Sequence, residues 1–247
     1  MTELNQYCFS NMHKLREIQK IPNSILSIGS NAFDSTLISS FTVPLSTVNL
    51  SDSVFRDCSL LIVFTIPAGC ALMNLGNFIF EGCSSLKKIE CIDSAYFVVD
   101  NGGLFNKNRT SLICFPPASP INFFSFLQNV QTISPYAFYG CRNLQSILIP
   151  DNSISSIGHS AFAYCTSLKY INIPLCVKNI EQSAFIGCSN LHCGMIVQNK
   201  SISFRQTLIE SSSLSPTVLK DCELITCKHD SFKLPVPNSF FYVFIEM

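Results

Sequence analysis

The chain has 247 residues, of which 47% are hydrophobic and only 13% charged, and its 16 basic and 16 acidic side chains leave a formal net charge of zero. That balance, with no Lys/Arg cluster, excludes the basic stripe that nucleic-acid phosphates require. No run reaches the roughly 18 apolar residues of a membrane-spanning helix, and Phe240–Ile245 is only a short apolar stretch.

From the N-terminus a spaced set of residues recurs. Phe9, Met12, Leu15, Ile18, Ile21 and Pro22 form a copy one residue long, and Phe33, Ser35, Ile38, Phe41, Val43 and Pro44 one that is a residue short. Phe55, Cys58, Leu61, Phe64, Ile66 and Pro67 follow without a gap, then Phe80, Cys83, Leu86, Ile89 and Cys91, with Ile92 where proline is due. From Asp93 to Asn129 the frame is lost. Two strand-like runs, Tyr96 to Val99 and Leu112 to Phe115, flank an Asp100-Asn-Gly-Gly103 turn signal of the hairpin kind. The frame resumes with Phe138, Cys141, Leu144, Ile147, Ile149 and Pro150, then Phe162, Cys165, Leu168, Ile171, Ile173 and Pro174, and a last copy, Phe185, Cys188 and Leu191, fades after Gly194 and Ile196. Linking phrases such as Ile154-Ser-Ser-Ile-Gly-His-Ser-Ala-Phe162 hold a second, shorter apolar pair.

The shared frame is F-x2-C-x2-L-x2-I-x-I-P. A fixed period in the range of about 20 to 29 residues with a strand-like core predicts a leucine-rich-repeat solenoid. The expected architecture is mainly β with short helical turns, about seven units of 22–25 residues and one hairpin-like interruption. In L-x2-I-x-I-P the last apolar residues alternate as on a half-buried strand, and proline ends the ladder because it has no N–H. The Ala-Phe-x2-Cys part is too short for an independent helix, and is read as a tight helical turn that places a phenyl ring and a thiol in the core. Neither half buries its apolar face alone; stacked neighbours do. The expected divisions are repeats over 1–92, a hairpin island over 93–129, repeats over 130–197, a C-terminal cap over 198–228 and a tail over 229–247.

No catalytic constellation is evident. The four histidines, His13, His159, His192 and His229, recur with no acid or nucleophile at a motif spacing. His192-Cys193 with Cys222, Cys227 and His229 is the one Cys/His gathering, and it lacks the tight C-x2-C pairing of a zinc site. No cofactor, metal or small-molecule substrate is therefore expected. Cys58, Cys83, Cys141, Cys165 and Cys188 share one repeat position and are read as a packed ladder of small buried hydrophobes. The odd total of 13 cysteines fits a reduced compartment. Met1-Thr-Glu-Leu-Asn-Gln-Tyr-Cys8 has no signal-peptide character and looks like a repeat already under way. A fragment of a longer array, an intracellular protein and a protein exported by another route all remain open.

The phrase I-G-x-x-A-F-x-x-C-x-x-L-x-x-I-x-I-P, met over roughly residues 5 to 197, resembles the BspA-like leucine-rich repeat family of bacterial and protist surface proteins, including those of trichomonads. The resemblance implies a surface antigen or adhesin that binds a host or cell-surface protein, with no catalytic repeat position. Strand parity places the binding surface: with Ile147 and Ile149 inward, Ser146 and Leu148 point outward, and the equivalents are Val63 and Thr65, Lys88 and Glu90, Tyr170 and Asn172. Stacked rungs are expected to bring all eight into one sheet. The two functions to separate are an adhesin-like protein-binding module and an intracellular interaction scaffold, the latter favoured by the cysteine count and the missing signal peptide.

Overall fold

The computed structural model describes residues 2–18, 21–212 and 214–220. Among these the chain forms strands β1 (Glu3–Leu4), β2 (Ser27–Ile28), β3 (Ser40–Thr42), β4 (Asn49–Leu50), β5 (Val63–Ile66), β6 (Asn74–Leu75) and β7 (Lys88–Cys91). There follow β8 (Phe97–Asp100), β9 (Gly103–Asn106), β10 (Ser111–Cys114), β11 (Phe123–Ser125), β12 (Thr132–Ile133), β13 (Ser146–Leu148), β14 (Ser156–Ile157), β15 (Tyr170–Ile173), β16 (Asn179–Ile180) and β17 (Met195–Val197). One helix, α1 (Ile202–Ser212), and a 3-10 turn at Pro216–Leu219 close the described chain.

Each repeat contributes to two parallel stacks. The I-x-I-P segments form β3-β5-β7 and β11-β13-β15-β17, and the linking phrases form β1-β2-β4-β6 and β16-β14-β12-β10, to which β9 and β8 are added antiparallel. The repeat apolar residues meet between them: Phe55, Cys58, Leu61, Phe64 and Ile66 are all fully buried, as are Phe162, Cys165, Leu168 and Ile173.

The Ala-Phe segments are successive tight turns that carry no helix. Residues two before and two after the phenylalanine adopt positive φ, as at Ser53 and Asp57 around Phe55, or Tyr136 and Gly140 around Phe138. At the turns of Phe9, Phe33, Phe55, Phe138 and Phe162 this alternation turns three N–H groups along the stacking axis. Ser53, Phe55 and Asp57 donate to the carbonyls of Asn77, Ile79 and Glu81, and Ser160, Phe162 and Tyr164 to those of Gln182, Ala184 and Ile186. The phenyl rings stack with the rungs, at 5.7 Å from Phe33 to Phe55 and 5.1 Å from Phe162 to Phe185.

The cysteine position has a hydrogen-bonding reason as well as a steric one. The thiols of Cys58, Cys83 and Cys165 each donate to the carbonyl of the preceding rung's phenylalanine, Phe33, Phe55 and Phe138, at 3.0 Å. Cys188 does the same to Phe162 at 3.1 Å. In the short second copy this place belongs to fully buried Thr36, which bonds the Cys58 thiol, and Ser35 instead takes a positive-φ corner. The glycine after the linking-strand isoleucine marks close approach of rungs: a Cβ on Gly158 would stand 2.5 Å from the Pro135 nitrogen.

The interruption is shorter than the sequence suggests. Phe115 packs on Phe138 with ring centres 5.2 Å apart and donates its N–H to the Ala137 carbonyl, as Phe9, Phe33, Phe55, Phe138 and Phe162 do to their next rungs. Phe115, Ala118, Ile121, Phe124 and Phe126 keep the repeat spacing, with alanine in the cysteine place and aromatics in the strand. An eighth copy therefore stands inside the stretch where the frame was expected to be lost. What is inserted is the β8–β9 hairpin, which joins β10 antiparallel. The hairpin divides the buried residues into two clusters, one from Ile25 to Cys114 and one from Phe105 to Val218.

Beyond β17, α1 buries Leu208 against the last rung, and Ser211 accepts the Ser183 N–H that a further turn would otherwise take. The Arg205 guanidinium donates to the carbonyls of Val197 and Asn199 at 2.9 Å, satisfying the edge of the terminal strand. The remainder of the expected cap and all of the expected tail lie outside the described residues.

Candidate protein-binding face

The eight face residues do not share one sheet. Val63, Thr65, Lys88 and Glu90 lie on β5 and β7, whereas Ser146, Leu148, Tyr170 and Asn172 lie on β13 and β15. The hairpin insertion is the reason, because it ends the β3-β5-β7 stack before the second stack begins at β11.

On the first sheet, register puts Ser40, Val63 and Lys88 in one row and Thr42, Thr65 and Glu90 in the next. Phe64 is fully buried behind them, and Val63 and Thr65 are half-buried. Lys88 holds Glu90 at 2.7 Å, and Thr65 donates to the other carboxylate oxygen at 3.2 Å. That lysine and hydroxyl hold the Glu90 carboxyl below its ordinary range. This sheet face is polar and its charges are already paired.

The second sheet is different in character. Register aligns Phe123, Ser146 and Tyr170 in one row, and places Ser125 beside Leu148 and Asn172 beside Ile196. Phe123, Tyr170 and Ile196 are 46%, 43% and 50% exposed, and Leu148 is half-buried. Ser146, expected to point outward, is only 8% exposed, since it is the small residue in a row between two aromatic side chains. Asn172 is not available as a contact group: its amide donates to the Ile149 carbonyl at 2.6 Å and accepts the Ile149 N–H at 2.7 Å. It extends the backbone ladder with a side chain.

Sequence reasoning missed Phe123 and Ile196. Phe123 falls in the unrecognised copy, where Phe115-x2-Ala118-x2-Ile121 carries the signal if alanine is allowed in the cysteine place. The sequence frame puts Ile196 in an inward place of the fading last copy, but that strand is shifted by one residue: Met195 and Val197 pair with Ile171 and Ile173 and are buried, and Ile196 faces outward. Gly194 leaves room for Tyr170, whose ring would lie 2.6 Å from a Cβ there.

The cysteines divide into two groups. Ten described cysteines are free thiols, Cys58, Cys83, Cys141, Cys165 and Cys188 among them, and these five are buried. Cys193 is disulfide-bonded. No group of three metal-ligating side chains gathers among the described residues. Cys222, Cys227 and His229 of the Cys/His gathering lie outside them. No described helix is long and apolar enough to cross a membrane.

Comparison with known proteins agrees with this architecture. The BspA type leucine rich repeat region matches residues 1–109 and 111–234 in six copies. No curated protein matches. Among solved structures, a leucine-rich repeat protein from Eubacterium ventriosum superposes with a TM-score of 0.70 at 23% identity, over 81% of this chain and 58% of its own. The pneumococcal vaccine antigen PcpA superposes with a TM-score of 0.59 at 18% identity, over 81% of this chain and 60% of its own. The chain thus spans less than two thirds of the length of either, and at these identities the likeness is one of fold. The repeat frame, the two parallel stacks and the match over nearly the whole sequence lead to one assignment: the chain belongs to the BspA-type leucine-rich repeat family.

Proposed function

We propose that this protein is a non-enzymatic binding module of the surface-antigen or adhesin type, holding a protein partner against the open face of the β11-β13-β15-β17 sheet. Its repeat family is consistent with a protein-interaction module. The observation that carries the finer reading is the placement of Phe123, Leu148, Tyr170 and Ile196 on the outward positions of adjacent rungs. A patch of aligned exposed apolar side chains marks protein contacts, and tyrosine is a favoured anchor in them. The description of a structural neighbour as a vaccine antigen supports a surface setting. The disulfide at Cys193 fits an oxidising compartment. Ten free thiols favour the second reading, an intracellular interaction scaffold that uses the same face.

The test pairs location with binding. Intact source cells are treated with a membrane-impermeant label, and labelling of this chain supports the surface setting, whereas protection supports the scaffold. Purified wild type and the Tyr170→Ala/Ile196→Ser double variant are then compared for binding to intact host-type cells and to purified host surface proteins. Loss of binding with an unchanged melting transition is the expected result. Undiminished binding by the variant removes the face from consideration.

A further inference from the structure

Between the fourth and fifth phenylalanine turns the turn-to-turn bonds are missing, although the Ala118 N–H still donates to the Leu86 carbonyl of the fourth rung at 2.8 Å. At five other junctions the N–H groups of the phenylalanine and of the residues two before and two after it donate to the next rung, as Ser53, Phe55 and Asp57 do. The corresponding N–H groups of Phe78, Phe80 and Gly82 find no acceptor among the described residues. On the same border β6 ends one sheet and β8 ends another; the Phe97 N–H of β8 is capped by the Ser94 hydroxyl at 3.2 Å, and neither strand has a further strand paired beyond it.

These edges open on a cleft of about 340 Å³ that Leu75, Phe78, Phe97, Tyr136 and Tyr139 help to line. That volume is within the range of ligand pockets. Natural proteins ordinarily cover a sheet edge or blunt it with charge or proline; Asn74 and Leu75 of β6 do neither.

The side chains indicate which residue the cleft would accept. Phe78 and Tyr136 meet edge to face at 4.1 Å, and Tyr139 lies 5.6 Å beyond Tyr136. Among the described residues lining the cleft, Glu81 is the one charged side chain. Glu81 and Tyr139 line the same cleft, and burial first, then the Glu81 carboxylate, pushes the Tyr139 phenol up. Arg56 reaches the Asp57 and Glu81 carboxylates only at 3.5 and 3.7 Å and is half exposed. Arg142 lines a second cavity, of about 510 Å³, that also borders Tyr139 and Pro117. Aromatic faces beside a carboxylate attract a cation.

We propose that this cleft receives an extended peptide segment as an added strand, with an arginine or lysine side chain laid between Tyr139 and Glu81. Main-chain pairing with the open backbone groups supplies affinity, and the aromatic–carboxylate pair selects the basic residue. The site shares no residue with the open strand face, so either holds without the other.

The experiment uses the full chain and fluorescence anisotropy with three labelled probes. The first is the heptapeptide Thr-Val-Thr-Arg-Thr-Val-Thr, the second carries glutamate in place of arginine, and the third is the arginine peptide N-methylated at alternate amides. The arginine probe is expected to bind, the glutamate probe at least about tenfold more weakly, which is about 1.4 kcal/mol, and the N-methylated probe not at all. Glu81→Gln and Tyr139→Leu each weaken the arginine probe about tenfold without moving the melting transition, while Tyr170→Ala leaves it unchanged. Failure of the arginine probe to bind overturns the proposal. So does equal binding of the arginine and glutamate probes, or retained binding by the N-methylated one.

Discussion

A cysteine thiol is a weak donor, yet it recurs where a phenylalanine carbonyl faces the next rung. The group is small enough for the crowded core and still reaches that oxygen. Burial pushes the Cys58 thiol up to about 11 and the Cys114 thiol up to about 12. An unfolded cysteine titrates near 8.5. Between these values the folded chain binds more protons than the unfolded one, so stability is fully present below about pH 8.5 and falls as pH rises through 11 and 12. Urea midpoints measured from pH 7 to 11 are expected to be flat up to about 8.5 and then to decline. In Cys114→Ser, whose hydroxyl does not titrate, the decline is expected to be shallower.

At the scale of the strand, one residue of register separates core from face. Ile89→Ala removes a side chain that is 2% exposed and Leu86→Ala one that is fully buried, so each is expected to destabilise by about 2 to 5 kcal/mol. Exposed Lys87→Ala, between them, is expected to fall within about 0.5 kcal/mol. Chemical denaturation of the three variants checks the order, and a large effect at Lys87 would shift the whole strand by one position. This alternation was legible in the sequence because Ile, Phe and Leu recur at fixed offsets from Cys. The Phe115 copy was not, because alanine and aromatics replaced the residues that define the frame and Leu112 to Phe115 read as one strand of the hairpin. The two-residue linking strands are held by backbone ladders rather than by a side-chain pattern. The left-handed corners at Tyr136 and Tyr164 carry none of the residues that usually announce positive φ. For the face, parity supplied the outward positions but not what shields Ser146, nor that Asn172 turns back onto Ile149.

For the whole molecule, a solenoid is stabilised by neighbour contacts, so its cooperativity extends only as far as the interfaces are intact. The two buried clusters meet at the hairpin, with Phe80 in one and Phe115 in the other. Unfolding is therefore expected to depart from a single transition. Hydrogen exchange with mass-spectrometric readout, in increasing urea, should show amides of residues 25–91 and 115–197 opening at separate midpoints. One common midpoint for both halves would show that the hairpin couples them into a single unit.

The backbone bonds that join one phenylalanine turn to the next run along the axis on which the rungs are stacked. A pull on the two ends of such an array passes through every interface in series, each carrying the same load. Three of those bonds are absent between the Phe78–Gly82 turn and its successor, so that interface is the compliant link. Under tension the molecule is expected to lengthen there before it does at the junctions that keep all three bonds, drawing Phe78 away from Tyr136 and widening the cleft.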